Sequence, residues 1–236
     1  MLILAFESSA KSAGAALWRD GSLLGEYHQN SGQTHSRTLL KMAEDLLRNC
    51  DLSVSDLDHV AVAAGPGSFT GLRIGVAAAK GLSWGREIPC VGVSTLEAMA
   101  RSCAACDGVL VCCMDARRQQ VYNALFEVKD GALIRLTEDR AISVAELDAE
   151  LKNIEKTKIL VGDGAALCYN SLQNRQNLVL APEHLRLQRA SGVALAAAEL
   201  ISADGVLPPE AVNPNYRRLS QAERERAEKK KKECEE

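Results

Sequence analysis

Aromatic side chains are scarce, at 4% of the 236 residues, which removes the stacking platforms on which single-stranded nucleic acids are held. Positive charge is not in excess either. The net charge is −3, which argues against a strongly basic nucleic-acid grip by the isolated chain, since phosphate binding needs a cationic face. No run of about 18 apolar residues is present, the length a membrane helix needs. The opening MLILAFESS has no basic segment ahead of its apolar run and turns acidic at Glu7. It reads as a strand rather than a signal peptide, and a cytoplasmic protein is expected. Only four histidines occur, His28, His35, His59 and His184, and none sits at the i+3 or i+4 spacing of a helical two-histidine metal site. Gly65 to Gly71 does not match a Walker loop. Gly67-Ser68-Phe69-Thr70-Gly71 places serine directly after glycine, where a nucleophile elbow needs a residue between them.

What remains is an ordinary globular composition, 47% apolar and 25% charged, long enough for one large domain or two small ones. Six of the eight cysteines lie in apolar or periodic segments with no secretory context, which fits reduced thiols. Cys103-Ala-Ala-Cys106 followed by Cys112-Cys113 invites a zinc reading. Neighbours in the strand-like run Val109 to Met114 point to opposite faces, however, and do not converge on one ion. No metal is expected.

The densest information lies between Ala63 and Leu82. An apolar run, Val60 to Ala64, reads as a buried strand, and Gly65-Pro66-Gly67 turns the chain. Ser68 or Thr70 supplies a helix cap. Gly71, Gly75 and Ala79 then recur four residues apart and form a nearly side-chain-free stripe on one helix face. Each mid-helix glycine costs about 1 kcal/mol relative to alanine, so the stripe implies that something approaches this helix backbone closely, as in a docking groove. Ahead of it, Thr34 to Cys50 carries Leu39, Ala43 and Leu46 at helical spacing, with Lys41/Asp45 and Glu44/Arg48 pairs opposite.

The order strand, acidic residue, strand, Asp-Gly turn, strand occurs twice. It runs from Leu2 through Glu7 and Asp20-Gly21 to Tyr27, and again from Val109 through Asp115 and Asp130-Gly131 to Leu136. Such an echo predicts two domains of like topology. Further on, Lys158 to Val161 reads as a strand, Gly162-Asp163-Gly164 as a turn into a helix, Ile142 to Leu151 as a surface helix, and Ser191 to Ile201 as an alanine-rich helix capped by Ser191. From Gln221 the balanced charges and missing apolar stripe predict a solvated tail.

The string Gly65 to Gly75, GPGSFTGLRIG, resembles the TsaB (YeaZ) family. So do Ala79-Lys80-Gly81-Leu82, Val91 to Leu96, Gln33-Thr34-His35-Ser36 and Pro214-Asn215-Tyr216-Arg217. The opening strand with Glu7-Ser8-Ser9 resembles the first phosphate motif of the actin/Hsp70-like ATPase fold. The resemblance implies an α/β protein of two tandem actin/Hsp70-like (ASKHA, RNase H-like) domains with mixed sheets flanked by helices. The expected division is 1–105 as a first domain bearing partner-binding helices, 106–220 as a second, and 221–236 as a charged tail.

The family resemblance also implies a role. TsaB proteins work with a catalytic relative, TsaD, and an ATPase, TsaE, in placing a threonylcarbamoyl group on tRNA. In TsaD the metal motif is His-x-Glu-x-His. The matching segment here is Thr95-Leu96-Glu97-Ala98-Met99, so both histidine positions are lost and no catalytic residue is expected. The implied partners are TsaD, as a heterodimer, and TsaE, with tRNA reached indirectly through the complex. The expected interface is Leu39, Ala43, Leu46, Gly71, Arg73, Gly75 and Ala79. A self-complementary version of the same contact would give a homodimer. Glu7, Ser8, Ser9, Asp115, Gly162 and Gly164 are candidates for a vestigial nucleotide cleft. ATP or ADP is its candidate ligand and none is required. The rival readings are a nucleotide-dependent transferase or kinase using Glu7 and Asp115 around magnesium, and a metallopeptidase, for which the ligands are missing.

Overall fold

The computed structural model describes residues 1–105 and 107–217. Cys106, Cys234 and the tail from Gln221 lie outside them. Two sheets form the frame. The first contains β1 (Leu2–Glu7), β2 (Ala13–Arg19), β3 (Ser22–Gln29), β4 (His59–Gly65) and β5 (Cys90–Ser94), in the order β3-β2-β1-β4-β5. The second contains β6 (Gly108–Asp115), β7 (Gln120–Lys129), β8 (Ala132–Arg135), β10 (Lys158–Val161) and β11 (Leu178–Leu180), in the order β11-β10-β6-β7-β8, with β9 (Arg140–Ser143) also pairing β7.

Counted from its own first strand, each sheet has the same path. An antiparallel meander builds outward on one side, and parallel strands are added on the other through helical crossovers. The duplication read from the two acidic strand ends and Asp-Gly turns is therefore real at the level of topology. Every residue of β1 is buried, because helices cover both faces of the sheet. A strand buried on both sides needs an unbroken apolar run, which LILAF supplies.

Helices α1 (His35–Asn49) and α2 (Phe69–Trp84) cover one face of the first sheet. The linking helices of the second half are α4 (Val144–Leu151) and α5 (Ala165–Ser171). Helix α3 (Thr95–Ser102) joins the halves, and the short α6 (Glu183–Arg186) precedes α7 (Ala190–Ser202). Ser68 caps α2 by accepting from the Gly71 N–H. Gly65-Pro66 is a cis peptide, and Gly65 has φ +132°, a conformation only glycine adopts easily.

Three expectations are corrected. The cut at 105/106 does not leave 106–220 as one unit. Helix α7 packs on β1, β2 and β5 of the first sheet, Val212 enters the first core, and Leu207 bridges to Cys90. The chain thus returns to the first half after the second half is complete. Ser191 does not cap α7, whose N-cap is Arg189; its N–H and Oγ–H donate to Glu26 Oε1 instead, at 3.0 Å each. Ile142 and Ser143 belong to β9, and only from Val144 does the segment become helix. On β6, Cys112 and Cys113 enter different cores on opposite faces of the sheet, as strand alternation requires.

Candidate docking helices and interdomain cleft

Of the seven residues expected to face a partner, six point inward. Leu39, Ala43, Leu46 and Ala79 belong to the first core. Gly71 and Gly75 are buried, and the backbone they admit is the chain's own. A Cβ at Gly71 would overlap the Ser8 carbonyl oxygen, and one at Gly75 the Ser8 Oγ. The Ser8 hydroxyl donates to the Gly71 carbonyl at 2.9 Å, and the Ser68 N–H donates to the Ser9 carbonyl at 2.6 Å. The stripe is the seat of the β1–β2 turn. Sequence reasoning recognised that something must lie close against it but assigned that place to the helix of a partner.

The open face of α2 is a different row: Thr70, Arg73, Ala77, Gly81 and Trp84, all exposed. Nothing lies within 4 Å of a Cβ placed at Gly81, and Trp84 is 66% exposed. Ala77 and Gly81 make a low saddle between larger groups at the two helix ends. At the N-terminal end Arg73, the one expected interface residue on the surface, lies 3.9 Å over the Phe69 ring and donates through Nε to the Tyr216 hydroxyl at 2.9 Å. Tyr216 stacks on Phe69 with centroids 4.8 Å apart. Lys80 donates to the Glu210 carbonyl at 3.0 Å, and the Asn215 N–H to the Ala64 carbonyl at 2.6 Å. The segment from Pro209 to Arg217 is thereby strapped along α2. Pro214 to Arg217 carried the family resemblance, but nothing in its spacing pointed to this stack. On α1 the outward side offers Leu40, flanked by the Lys41–Glu44 and Arg48–Asp45 pairs. His35, at its start, donates a ring N–H to the Ala10 carbonyl at 2.8 Å.

The candidate cleft residues do gather where the two halves meet. Glu7, Ser8 and Ser9 are fully buried. Glu7 Oε1 accepts from the Ser9 N–H at 2.6 Å and from its Oγ–H at 2.5 Å. The donors that a phosphate loop would offer a ligand are consumed inside the loop. Burial drives the Glu7 carboxyl up to about 7 despite the Ser9 bonds, and the Asp163 carboxylate adds repulsion. Asp163 is itself raised by burial and by Asp115, while a 2.9 Å bond from Gln188 Nε2 pulls the other way. The cleft thus gathers the carboxyls of Glu7, Asp115 and Asp163, with Lys11 close enough to act on Asp163. Gly162 and Gly164 lie directly against the backbone of Cys113 to Asp115, and a Cβ at either would collide with it. Asp115 accepts from the Arg117 N–H at 2.7 Å.

The segment matching the His-x-Glu-x-His motif is structural in this chain. Thr95 and Met99 are buried. Glu97 forms ion pairs with Arg135 at 2.9 Å and Arg101 at 3.1 Å. Burial would raise its carboxyl, but the two guanidiniums prevail and hold it below the usual range. Among the described residues no group of three His, Cys, Asp or Glu side chains could hold a metal ion, and no helix is long and apolar enough to cross a membrane.

The paired meander-and-crossover sheets with linking helices define the actin/Hsp70-like class. In solved structures the chain is similar to YeaZ from Pseudomonas aeruginosa, at TM-score 0.77 and 23% identity over 91% of this chain and 99% of that one. It is also similar, at TM-score 0.50 and 12% identity, to component A of (R)-2-hydroxyglutaryl-CoA dehydratase from Acidaminococcus fermentans. A family model described as TsaD, tRNA N6-adenosine threonylcarbamoyltransferase, matches residues 26–225. The tRNA threonylcarbamoyladenosine biosynthesis protein TsaB of Bacillus subtilis is 33% identical over 94% of this chain and 96% of its own length. That of Escherichia coli is 29% identical over 92% and 95%. The chain belongs to the TsaB family, within the wider TsaD-type group.

Proposed function

We propose that this chain is a noncatalytic subunit in tRNA threonylcarbamoyladenosine biosynthesis, docking on a TsaD-type sister subunit and supporting the binding of a TsaE-type ATPase to the pair. The biosynthetic role follows from family membership. The scaffold role is supported mainly by one observation: the outer row of α2, Thr70 to Trp84, presents a small-residue saddle with a tryptophan at one end and an arginine–aromatic stack at the other. Small residues let a facing helix approach closely, and exposed Trp, Tyr and Arg are the side chains that anchor interfaces. Leu40 is exposed on α1, the helix that packs against α2. In this reading Arg73 keeps the interface role read from sequence, and the six inward residues serve the face by holding α1 and α2 in place. The use of the Ser9 donors by Glu7 and the loss of the histidine pair at Thr95 and Met99 favour a subunit that transfers nothing itself. No nucleotide is required for this role.

Reconstitution tests it. TsaD, TsaE, ATP, threonylcarbamoyl-adenylate and tRNA are combined with and without this chain. Modification that depends on the chain, and fails with Trp84→Ala, is expected. Equal modification in its absence overturns the scaffold reading.

A further inference from the structure

A pocket of about 240 Å³ lies where the two halves meet the returning strap, and the docking role leaves it unused. Three stretches of chain build it. Gly65 and Ser94 bring the carboxyl ends of the parallel strands β4 and β5. Arg135, Glu138 and Asp139 come from the end of β8 and the loop before β9, and Asn215 and Arg217 from the strap. Glu7, Asp115 and Asp163 are not among its walls. Crevices outside the carboxyl ends of parallel strands are a general location for ligands in α/β sheets.

One wall is fixed by groups that satisfy one another. Ser94 donates to Asp139 Oδ2 at 2.6 Å, and Arg135 holds Asp139 at 2.8 Å and Glu97 at 2.9 Å while lying 4.6 Å over the Phe126 ring. Asp139 is buried. The facing wall is fixed through its backbone. The Asn215 N–H donates to the Ala64 carbonyl at 2.6 Å, and the Asn215 carbonyl occupies the space that a Cβ at Gly65 would take. Three polar groups of the lining are left over. The Glu138 carboxylate, the Arg217 guanidinium and the Asn215 side-chain amide are all exposed, and none has a side-chain partner among the described residues. Two charges of opposite sign thus share one small pocket without pairing to each other.

We propose that this pocket binds a free α-amino acid as its zwitterion, with the carboxylate on Arg217, the ammonium on Glu138 and a small polar side chain against the Asn215 amide. Size sets the class of ligand. At about 240 Å³ the pocket falls below the roughly 300–1,000 Å³ of drug-sized sites and equals the share of about eight waters. Charge sets the rest. A simple anion would meet Arg217 and be repelled by Glu138, and a simple cation the reverse. A ligand carrying both charges matches both groups, and charge-assisted hydrogen bonds are the strong ones.

The full chain is titrated with L-serine by calorimetry. Saturable one-to-one binding is expected. L-serinamide, which lacks the carboxylate, and N-acetyl-L-serine, which lacks the ammonium, should each bind about tenfold more weakly or worse. Arg217→Gln and Glu138→Gln should each weaken L-serine by about tenfold. Both positions are exposed, so near-ultraviolet circular dichroism of both variants should match the wild type. The proposal is overturned if millimolar L-serine gives no saturable heat. It is overturned equally if acetate binds as tightly as L-serine, which would make the pocket an anion site, or if the two variants bind L-serine as the wild type does.

Discussion

The two halves of this molecule share a strand order and differ in what they do with it. The turn after the first strand of the first half, Glu7 to Ser9, is buried beneath α2, and its donors are turned inward. The matching turn in the second half runs through Arg117, Arg118 and Gln119, exposed and consecutively left-handed at φ 66°, 55° and 56°. The crossover helices differ as well. α1 and α2 have 15 and 16 residues, and α4 and α5 have 8 and 7. At about 1.5 Å rise per residue, the crossover helices of the first half are about twice as long and present a correspondingly longer outer face. A duplicated topology has become asymmetric, with one half sealing its turn under extended helices and the other leaving its turn open. The sealed turn and the two faces of α2 supply the experiments that can break this comparison.

The largest effect is expected where the turn meets α2. Gly75→Trp should not fold, because even a Cβ there overlaps Ser8 Oγ and sits tight against Val62. Gly71→Ala should destabilise by about 3 kcal/mol, since the obstacle is a backbone carbonyl that cannot rotate away and overpacking outweighs the gain in helix propensity. Urea unfolding measures both. A normally folded Gly75→Trp protein would show that the turn is not seated where the structure places it.

Next in size is the proton on Glu7. Its carboxyl is pushed up to about 7 in the folded state from an ordinary value of 4.5, so the native protein binds this proton more tightly than the unfolded chain. Its contribution is complete below about pH 4.5, declines as pH rises, and is gone by about pH 7. Linkage makes this about 3 kcal/mol. His28 and His59, both lowered by burial, act in the opposite direction and are removed by comparison with a variant. Denaturation at pH 5 and pH 8 should show a loss in the wild type that is largely absent in Glu7→Gln. Equal pH dependence in the two proteins would mean that Glu7 is not held neutral.

The pairing of sheets was legible because it rests on local signals: apolar runs, acidic strand ends and Asp-Gly turns fix strands and hairpins within a few residues. The helix spanning Phe69 to Trp84 was legible for the same reason, through its Ser68 cap and its breaker-rich start. The direction of its bare stripe was not. Gly71 and Gly75 report that something comes close, but not what it is, and the answer depends on Ser8, more than sixty residues away. The fate of α7 was hidden likewise. An alanine-rich helix fits either half, and Glu26, whose carboxylate binds Arg189 and Ser191, lies some 160 residues upstream. The Tyr216 stack also joins distant positions, and only the fold brings them together.

The two faces of α2 give the next test. Trp84→Ala should leave the isolated protein's stability within about 0.5 kcal/mol of wild type, as exposed sites do, while weakening a TsaD-type partner by about 2 kcal/mol, roughly thirtyfold, as for an interfacial tryptophan. Titration calorimetry against the partner and thermal melting of the chain alone separate the two quantities. Loss of stability without loss of affinity would place the tryptophan in the fold and move the docking face elsewhere.

The smallest expected effect is the most discriminating, because it uses one residue type on one helix. Gly81 sits on α2 ten residues after Gly71, with nothing within 4 Å of a Cβ placed there and no left-handed backbone to forbid it. Gly81→Ala therefore gains the helix propensity without a clash and should raise stability by about 1 kcal/mol, the opposite sign to Gly71→Ala. Gly81→Trp adds bulk at the same point. It should leave the chain folded and fill the saddle between Ala77 and Trp84, so that a partner helix can no longer approach. If Gly81→Ala destabilises, the outer face of α2 is covered by the chain itself. If Gly81→Trp binds a TsaD-type partner with undiminished affinity, the saddle is not where the sister subunit sits, and the long helices of the first half need another explanation.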